Sequence, residues 1–339
     1  MKLDRRQFVQ HSAAVAASVA IATTVNDEDA AADEPPTAAA LPIVDTHQHL
    51  WDLAKFKLPW VGSAPDLNHS FVTKDYLETA RGLNVVKAIY MEVDVDPSQQ
   101  VAEAEHLIEI CQKKENLTVA AVISGRPAAE SFRPYITRFK GSPIIKGVRQ
   151  VLHVPETKPG TCLDKNYVQG VRLLGELGMS FDLCMRPTEL TDAAKLADQC
   201  PGTRFILDHC GNADPKAFLS SKRRDEVGPI DAPSHEPDPW RRDLAALAKR
   251  KNIVCKISGI VARAPKGKWI AADLAPPIIH CLAEFGPDRV MFGSDWPVCT
   301  LAATYRQWVE ALRQIIATRP PAEQSKLLHD NAVKFYGLS

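Results

Sequence analysis

The stretch Asp45-Thr46-His47-Gln48-His49-Leu50-Trp51 follows a short apolar run, residues 41–44, and the interpretation of the whole chain starts from it. In an extended strand alternate side chains point to the same face. His47 and His49 would therefore lie about 7 Å apart, close enough to share one metal ion. An isolated His-x-His more often caps a strand in a polar loop, so the pair needs support from the rest of the chain.

Beyond residue 41, short runs rich in apolar and β-branched residues alternate with longer segments of helical periodicity. This pattern is typical of a parallel sheet built from strand–helix units. The predicted strands are residues 43–47, 85–92, 118–123, 145–149, 180–185, 204–209, 253–258 and 290–295. The predicted helices are residues 100–114, 129–139, 167–177, 190–199, 239–251, 274–285, 304–317 and 322–336. Eight such strands predict an α/β protein with a single (β/α)8 TIM barrel over residues 41–339.

A doubly wound open sheet is the structural alternative to the barrel. Such a sheet normally carries a glycine-rich phosphate loop after its first strand, and the sequence from His47 to Trp51 does not resemble one. Three long connections, residues 51–70, 211–238 and 259–269, each follow a predicted strand. In a barrel they would lie on the catalytic face and form the walls of a pocket.

The first 40 residues predict an export signal followed by a tether. Arg5 and Arg6 precede a small-residue apolar run at 13–22, which is shorter than the roughly 20 residues that a bilayer requires. The arrangement is typical of a twin-arginine signal peptide, whereas a frayed amphipathic helix would not explain the adjacent arginines. Residues 26–40 are mainly Ala, Asp, Glu and Pro and predict a disordered linker. We therefore expect a periplasmic or otherwise exported protein with no stable membrane insertion after cleavage of the signal.

The overall composition excludes partners that are chosen by bulk charge. Lysines plus arginines equal aspartates plus glutamates, 41 of each, so no net field attracts nucleic acid or an anionic membrane. We expect a small-molecule substrate, and the composition carries no information on the oligomeric state. The eight cysteines include no C-x-x-C pair, and most are expected to be buried small apolar residues.

Polar residues gather where the predicted strands end. The ends carry His47, His49, Glu92, Arg149, Asp208, His209 and Asp295. In a barrel these ends converge on one mouth, and the first and last strands are neighbours, so His47, His49 and Asp295 would lie side by side. Each residue alone has an ordinary structural role, such as a turn former for Asp295 or an ion-pair partner for Arg149. Their joint placement indicates an active site, whereas Lys146 and Lys256 are expected to form core salt bridges.

Five short motifs, taken in order, resemble the amidohydrolase-related family. The motifs are Val44-Asp45-Thr46-His47-Gln48-His49-Leu50-Trp51, Gly147-Val148-Arg149, Leu207-Asp208-His209-Cys210-Gly211, Phe292-Gly293-Ser294-Asp295-Trp296-Pro297 and Asn331-Ala332-Val333-Lys334-Phe335-Tyr336-Gly337-Leu338. The resemblance extends over nearly all of residues 41–339. It is greatest to the branch that contains fuconolactonase, rhamnono-lactonase and pyrone-dicarboxylate lactonase.

The resemblance implies a barrel hydrolase in which His47, His49, His209 and Asp295 bind a divalent metal, with Glu92 as a further candidate ligand. It also implies that Asp295 shuttles the proton of the attacking water, so Asp295 and His209 are the candidate catalytic residues. The fifth strand offers no histidine, and the fourth ends on Gly-Val-Arg without an evident bridging lysine, which limits the site to one zinc-like ion. A metal-free mechanism stays open, with the histidines polarising the substrate carbonyl and Asp295 as the sole base.

For the substrate, Arg149 and Arg186 could bind a carboxylate or polyol oxygens, and His153 could join them. Trp51, Trp60 and Trp296 could stack on a sugar-like ring, although packing beneath the loops is the more frequent role of an aromatic side chain. The leading hypothesis is a hydrolase that opens a lactone ring, with a sugar-acid lactone as the expected substrate. The alternatives are a metal-dependent decarboxylase of the same superfamily and a non-catalytic binding barrel. Trp51, directly after His-Gln-His-Leu, resembles the lactonases.

Overall fold

Eight parallel strands, each hydrogen-bonded to the next in chain order, form the centre of the protein in a computed structural model that describes residues 41–338. The strands are β1 (Ile43–Gln48), β2 (Val85–Met91), β3 (Thr118–Ser124), β4 (Ile145–Val151), β5 (Ser180–Cys184), β6 (Arg204–Leu207), β7 (Ile253–Ile257) and β8 (Val290–Phe292). The predicted α/β barrel is therefore confirmed. The predicted export signal and tether, residues 1–40, lie outside the described residues.

The first and last strands close the barrel through contacts just beyond the end of β8. The Asp295 amide donates to the His47 carbonyl at 2.8 Å, and the His49 amide donates to the Trp296 carbonyl at 2.8 Å. The chain thus forms a nearly closed ring. His47, His49 and Asp295 lie at its seam, as expected from the neighbouring positions of the first and last strands.

Asp45 links β1 to the end of β8 by hydrogen bonds beneath this seam. Its Oδ1 accepts from the Ser294 amide at 2.8 Å, and its Oδ2 accepts from the Ser294 hydroxyl at 2.6 Å. The same Oδ2 accepts from the hydroxyls of Tyr76 at 2.9 Å and Tyr305 at 3.0 Å. A fully buried carboxylate is stable only when it is hydrogen-bonded in this way, so Asp45 ties β1 to β8 and to two helices outside the ring.

Helices surround the ring and lie between its strands in the chain. Their bounds are Thr73–Ala80, Gln100–Gln112, Phe132–Ile136, Lys165–Glu176, Leu190–Gln199, Ser221–Val227, Pro237–Ala248, Ala271–Phe285, Tyr305–Ile316, Pro321–Ser325 and Asn331–Tyr336. The sequence does not predict Ser221–Val227, because that helix is charged along its length and buries only Val227, so it has no apolar period to detect. The predicted helix 322–336 is divided by a π-helical turn at Lys326–Asp330.

The two ends of the barrel differ. The last helix lies against the amino ends of β6 and β8, where Arg204 donates to the Phe335 carbonyl and Asn331 donates to the Val290 carbonyl. Ala332 and Tyr336 of this helix join the buried cluster inside the barrel. The amino end is thereby filled, and the carboxyl end is left as the mouth.

The barrel interior also holds buried charge. The fully buried ammonium of Lys256 lies 2.6 Å from Asp182 and 3.3 Å from Asp208, so the expected core salt bridge is confirmed. The same expectation is wrong for Lys146, which is half-buried at the start of β4 and forms no ion pair within residues 41–338.

All eight cysteines are unpaired thiols, and all except the half-buried Cys111 are buried. This confirms their expected role as small apolar residues. Across residues 41–338, no helix combines the length and apolar character needed to cross a bilayer.

Candidate active site

A cavity of about 370 Å³ opens at the carboxyl end of the barrel. His49, Arg149, His209 and Asp295 lie in its wall, together with apolar residues of the loops that follow the strands. The predicted loops 51–70, 211–238 and 259–269 all contribute lining residues. This is the face on which barrel enzymes carry their catalytic groups.

His47 and His49 meet Asp295 at the seam of the barrel. His49 Nε2 lies 3.2 Å and His47 Nε2 lies 3.7 Å from Asp295 Oδ1. The centroids of the two imidazole rings are 4.9 Å apart. The Asp295 backbone has φ 56°, a conformation that non-glycine residues seldom adopt and that occurs preferentially at functional sites.

The neighbours of His47 determine which of its nitrogens carries the proton. Arg149 Nη1 lies 3.3 Å from His47 Nε2, and a guanidinium can only donate, so Nε2 presents a lone pair. His47 Nδ1 then carries the proton and faces Asp208 Oδ1 at 3.4 Å, while the Lys256 ammonium, also 3.4 Å from this nitrogen, is paired with Asp182 and Asp208. Burial lowers the pKa of His47 well below its usual value, against the attraction of Asp208, so the ring is neutral.

His49 has a different problem. Its Nδ1 lies 3.0 Å from the Met91 carbonyl, which can only accept, so Nδ1 carries a proton. Its Nε2 then faces the Asp295 carboxylate, which is also an acceptor. Two acceptors at 3.2 Å are compatible only if a proton or another cation lies between them.

His209 is held rigidly on the opposite wall. Its Nδ1 lies 3.0 Å from the Ser258 hydroxyl, and its ring centroid is 4.4 Å from that of His47. His209 itself has φ 53° and lies two residues beyond the end of β6. Gly259 lies against the ring so closely that a Cβ there would overlap the imidazole. Burial lowers the pKa of His209, so this histidine is also neutral at pH 7.

Asp295 is ionised despite its burial. Burial works against the charge, but the interactions with His209, His49 and His47 outweigh it and hold the pKa of Asp295 well below its usual range. The carboxylate is therefore available as a ligand or as a proton acceptor throughout the neutral range.

Glu92 lies beside the site but is committed to Arg149. Its Oε1 accepts from Arg149 Nε at 2.7 Å, its carbonyl accepts from Arg149 Nη2 at 2.7 Å, and its Oε2 accepts from the Asp94 amide. The structure does not bring Glu92 into either group of candidate metal ligands within residues 41–338. The pair instead fixes Arg149 against His47.

The residues predicted to bind substrate divide into two sets. Trp51, Trp60, Arg149 and His153 line the cavity. Trp296 is buried against Phe71 and Tyr76 and is not part of the lining. Arg186 is also outside the lining, because its guanidinium binds Glu189 and the carbonyls of Val154 and Thr157 and so supports the loop after β4.

Sequence reasoning missed several residues around the site. Asp182 lies beneath His47, and Asp94 and Arg263 lie in the cavity wall. Asp208, which the sequence placed at the end of the sixth strand, also lies beneath His47. Arg263 lies inside an irregular loop, where no period or strand end marks it.

The donor atoms fit one divalent ion. His47, His49 and Asp295 each offer a ligand atom, and the three atoms lie within 4.8 Å of one another. The lone pairs at His47 Nε2 and His49 Nε2, facing a carboxylate, are the chemistry that zinc-like ions prefer. A second group, formed by His47, Asp208 and His209, fits less well, because the Lys256 ammonium already lies 3.3 Å from Asp208.

Comparison with known proteins follows the same lines. The family described as Amidohydrolase matches residues 44–338. The L-fucono-1,5-lactonase of Burkholderia multivorans (strain ATCC 17616 / 249) is 27% identical over 302 residues, covering 87% of this chain and 96% of that protein. The L-rhamnono-gamma-lactonase of Scheffersomyces stipitis is 22% identical and covers 87% of this chain and 98% of its own length.

Among solved structures, an amidohydrolase from Burkholderia multivorans with bound zinc has a TM-score of 0.73 at 23% identity, covering 88% of this chain and 100% of that one. This similarity supports the barrel fold. The family match extends over almost all of the described residues and includes every candidate ligand. The chain therefore belongs to the amidohydrolase family.

Proposed function

We propose that this protein is a hydrolase that opens a lactone ring by attack of a water molecule that Asp295 activates. The observation that carries the proposal is the ionised Asp295 carboxylate, held by His49 and facing a cavity that also exposes neutral His209. A carboxylate and a neutral imidazole in one wall supply a proton acceptor and a hydrogen-bond donor for ester hydrolysis.

The residues divide the reaction between them. Asp295 accepts a proton from the attacking water while the oxygen of that water bonds to the lactone carbonyl carbon. Ser258 can donate to His209 Nδ1, which leaves the Nε2 proton of His209 to stabilise the negative charge on the carbonyl oxygen. When the ring C–O bond breaks, Asp295 returns its proton to the departing alkoxide, and a hydroxy acid is released.

His47, His49 and Asp295 would hold a single divalent ion, and when bound it would supply a Lewis acid that lowers the pKa of water to about 7. Arg149 donates to His47 Nε2 and so competes for the same lone pair. Lys256 lies 3.4 Å from His47 Nδ1. Two fixed cations beside His47 oppose the entry of a second ion, which supports a limit of one metal.

The names of the curated relatives support a sugar-acid lactone as the class to test first, as proposed from the sequence. Export by the twin-arginine route is likewise a proposal. Attachment of residues 1–40 to a reporter protein that is active only when it folds before export would test this proposal.

Proton release in a pH-stat with a panel of purified lactones tests the activity. We expect Asp295→Asn to lower kcat by about a hundredfold or more, because the amide cannot accept the proton. Asp231→Asn, an exposed carboxylate in the loop between β6 and β7, is the matched control and should leave the rate unchanged. Undiminished hydrolysis in Asp295→Asn would sink the mechanism, and release of carbon dioxide without uptake of water would instead favour a decarboxylase.

A further inference from the structure

A second cavity lies next to the active site and shares Trp51 with it. Its volume is about 210 Å³, and it lies between the loop after β1 and the helices Thr73–Ala80 and Gln100–Gln112. Trp51 is part of the wall of both cavities. Its amide and carbonyl are hydrogen-bonded to Phe71, and its indole donates to the His69 carbonyl, so the shared side chain is fixed. The steps of the proposed hydrolysis use no residue of the second cavity.

Glu103 places a buried carboxyl group in the wall of the second cavity. Its side chain is only 1% exposed. Oε1 accepts from the Tyr90 hydroxyl at 3.0 Å and from the Val93 amide at 3.1 Å. Oε2 is buried and has no hydrogen-bond partner within residues 41–338. Buried polar atoms are nearly always hydrogen-bonded in folded proteins, so this oxygen calls for a partner from outside the chain.

The proton of Glu103 lies on the same oxygen. Burial, and then the repulsion of Glu92, raise the pKa of Glu103 to about 8, so the group is mainly a neutral acid at pH 7. Because Oε1 already accepts two hydrogen bonds, Oε2 carries the proton and presents an O–H donor. The partner that this donor requires is an acceptor oxygen.

Three lysines give the second cavity a positive charge. Lys55, Lys74 and Lys113 all belong to its wall. Lys55 lies 3.9 Å from Asp52, whereas Lys74 and Lys113 form no ion pair in the part of the chain that the structure describes. With Glu103 neutral, the three ammonium groups face the single carboxylate of Asp52. The balance favours an anionic ligand.

The remaining wall sets the size and the body of the ligand. Its apolar side chains are Leu50, Phe56, Phe71, Leu107 and Ile110. An apolar cavity of about 150 Å³ holds benzene in another protein. The second cavity, at about 210 Å³, is therefore large enough for one hydrocarbon ring and a small polar group.

We propose that the second cavity binds a small oxo acid, with a hydrocarbon body of about one ring, its carbonyl oxygen at Glu103 and its carboxylate at the three lysines. This binding site is distinct from the active site and does not depend on the proposed lactone hydrolysis. Because Trp51 belongs to both walls, the bound acid touches the active-site wall without entering the active site.

Three matched compounds test the ligand class. Their binding to the full chain is measured by ligand-observed nuclear magnetic resonance. The probes are 4-oxocyclohexanecarboxylate, cyclohexanecarboxylate, which lacks the carbonyl, and 4-oxocyclohexanecarboxamide, which lacks the charge. We expect a Kd below about 1 mM for the oxo acid, a modest value for a ligand of this size. Loss of the carbonyl should weaken binding about tenfold, because the Glu103 donor is left unpaired. Loss of the charge should weaken it only about threefold, because the lysines are exposed.

Two tryptophan variants locate the ligand. Thr73 is half-buried in the wall of the second cavity, and Thr73→Trp narrows that cavity and should raise the Kd of the oxo acid at least tenfold. Ala262 is half-buried in the wall of the active-site cavity, and Ala262→Trp is the matched control, which should leave the Kd within about twofold. Circular dichroism checks that both variants are folded.

Two further variants assign the contacts. Glu103→Met removes the O–H donor, so the oxo acid and cyclohexanecarboxylate should bind equally, and cyclohexanecarboxylate serves as an internal control for folding. Lys113→Gln should reduce the preference for the acid over the carboxamide. Lys114→Gln removes an exposed neighbouring charge that is not part of the wall and should keep that preference.

The inference fails if the oxo acid and cyclohexanecarboxylate bind equally to the unaltered protein, because water then satisfies Glu103. It also fails if binding survives in Thr73→Trp or is lost in Ala262→Trp, because the ligand then occupies the active-site cavity. Absence of binding of the oxo acid up to about 10 mM would overturn it as well. None of these results bears on lactone hydrolysis, which proton release measures separately.

Discussion

Replacing Lys256 by methionine tests whether the buried charges beneath His47 form one unit. The Lys256 ammonium is fully buried between Asp182 at 2.6 Å and Asp208 at 3.3 Å. Methionine keeps the length of the side chain and removes the charge. Two carboxylates then lose their shared cation in the interior of the barrel.

The expected cost follows from burial. Breaking a buried ion pair by removing one partner typically costs about 3–5 kcal/mol, a large part of the roughly 5–15 kcal/mol that stabilises a folded domain. Burial already raises the pKa of Asp182 to about 7, against the attraction of Lys256. Without Lys256 the pKa of Asp182 rises further, so in the variant its carboxyl stays neutral at pH 7 and ionises only at higher pH, and the defect of the variant should grow as the pH rises above 7.

Urea unfolding at pH 7 and pH 9 measures both effects. Lys165→Met, at an exposed position, is the control and should cost less than about 0.5 kcal/mol. Asp182→Asn in the Lys256→Met background should restore part of the stability, because one uncompensated charge is removed. A loss below about 1 kcal/mol at pH 9, or a loss that does not grow between pH 7 and pH 9, would refute the view that these groups act as one charge-compensated unit.

Three further predictions concern the site and its supports. Gly259→Ala should lower kcat at least tenfold, because the added Cβ would displace His209. Gly267 has a similar positive φ with open space around it, so Gly267→Ala is the control and should keep activity. Equal losses in the two variants would point to backbone strain alone. Burial and then Glu92 raise the pKa of Glu103 to about 8, whereas in the unfolded chain a glutamate releases its proton near pH 4.3. The folded protein therefore retains this proton between the two pH values. The free energy of unfolding should fall as the pH rises through this range, by at most about 1.4 kcal/mol per pH unit. Glu103→Gln should flatten this slope in urea unfolding, and an unchanged slope would assign it elsewhere. Elemental analysis of purified protein should find at most one equivalent of divalent metal, and less in His49→Ala; two equivalents would contradict the limit inferred from Arg149 and Lys256.

The barrel and the seam could be predicted because periodicity and strand ends are local signals. Strands such as Ile145–Val151 are short apolar runs between helical segments, and their order along the chain determines their neighbours in a ring. That reasoning placed His47, His49 and Asp295 together. It could not show that Glu92 would form an ion pair with Arg149, because the partner that a carboxylate selects depends on side-chain geometry across strands.

Loop residues were the weakest part of the prediction for the same reason. Arg186 and Arg263 follow strands β5 and β7 and are chemically identical, yet one supports a loop and the other faces the cavity. The difference arises from Glu189 and two carbonyls that surround Arg186. Trp296 resembled a stacking platform, but the hydrogen-bonded seam turns it inward against Tyr76.

The hydrogen bonds between Asp45 and Ser294 affect how activity returns after unfolding. These hydrogen bonds join residues 249 apart in the chain, and the candidate catalytic residue Asp295 lies next to Ser294. Contacts of such separation are among the slowest to form, whereas the helices depend on local contacts. Recovery of hydrolysis during refolding should therefore lag behind the recovery of helical circular dichroism. The return of enzymatic turnover would then report when the first and last strands of the barrel come together.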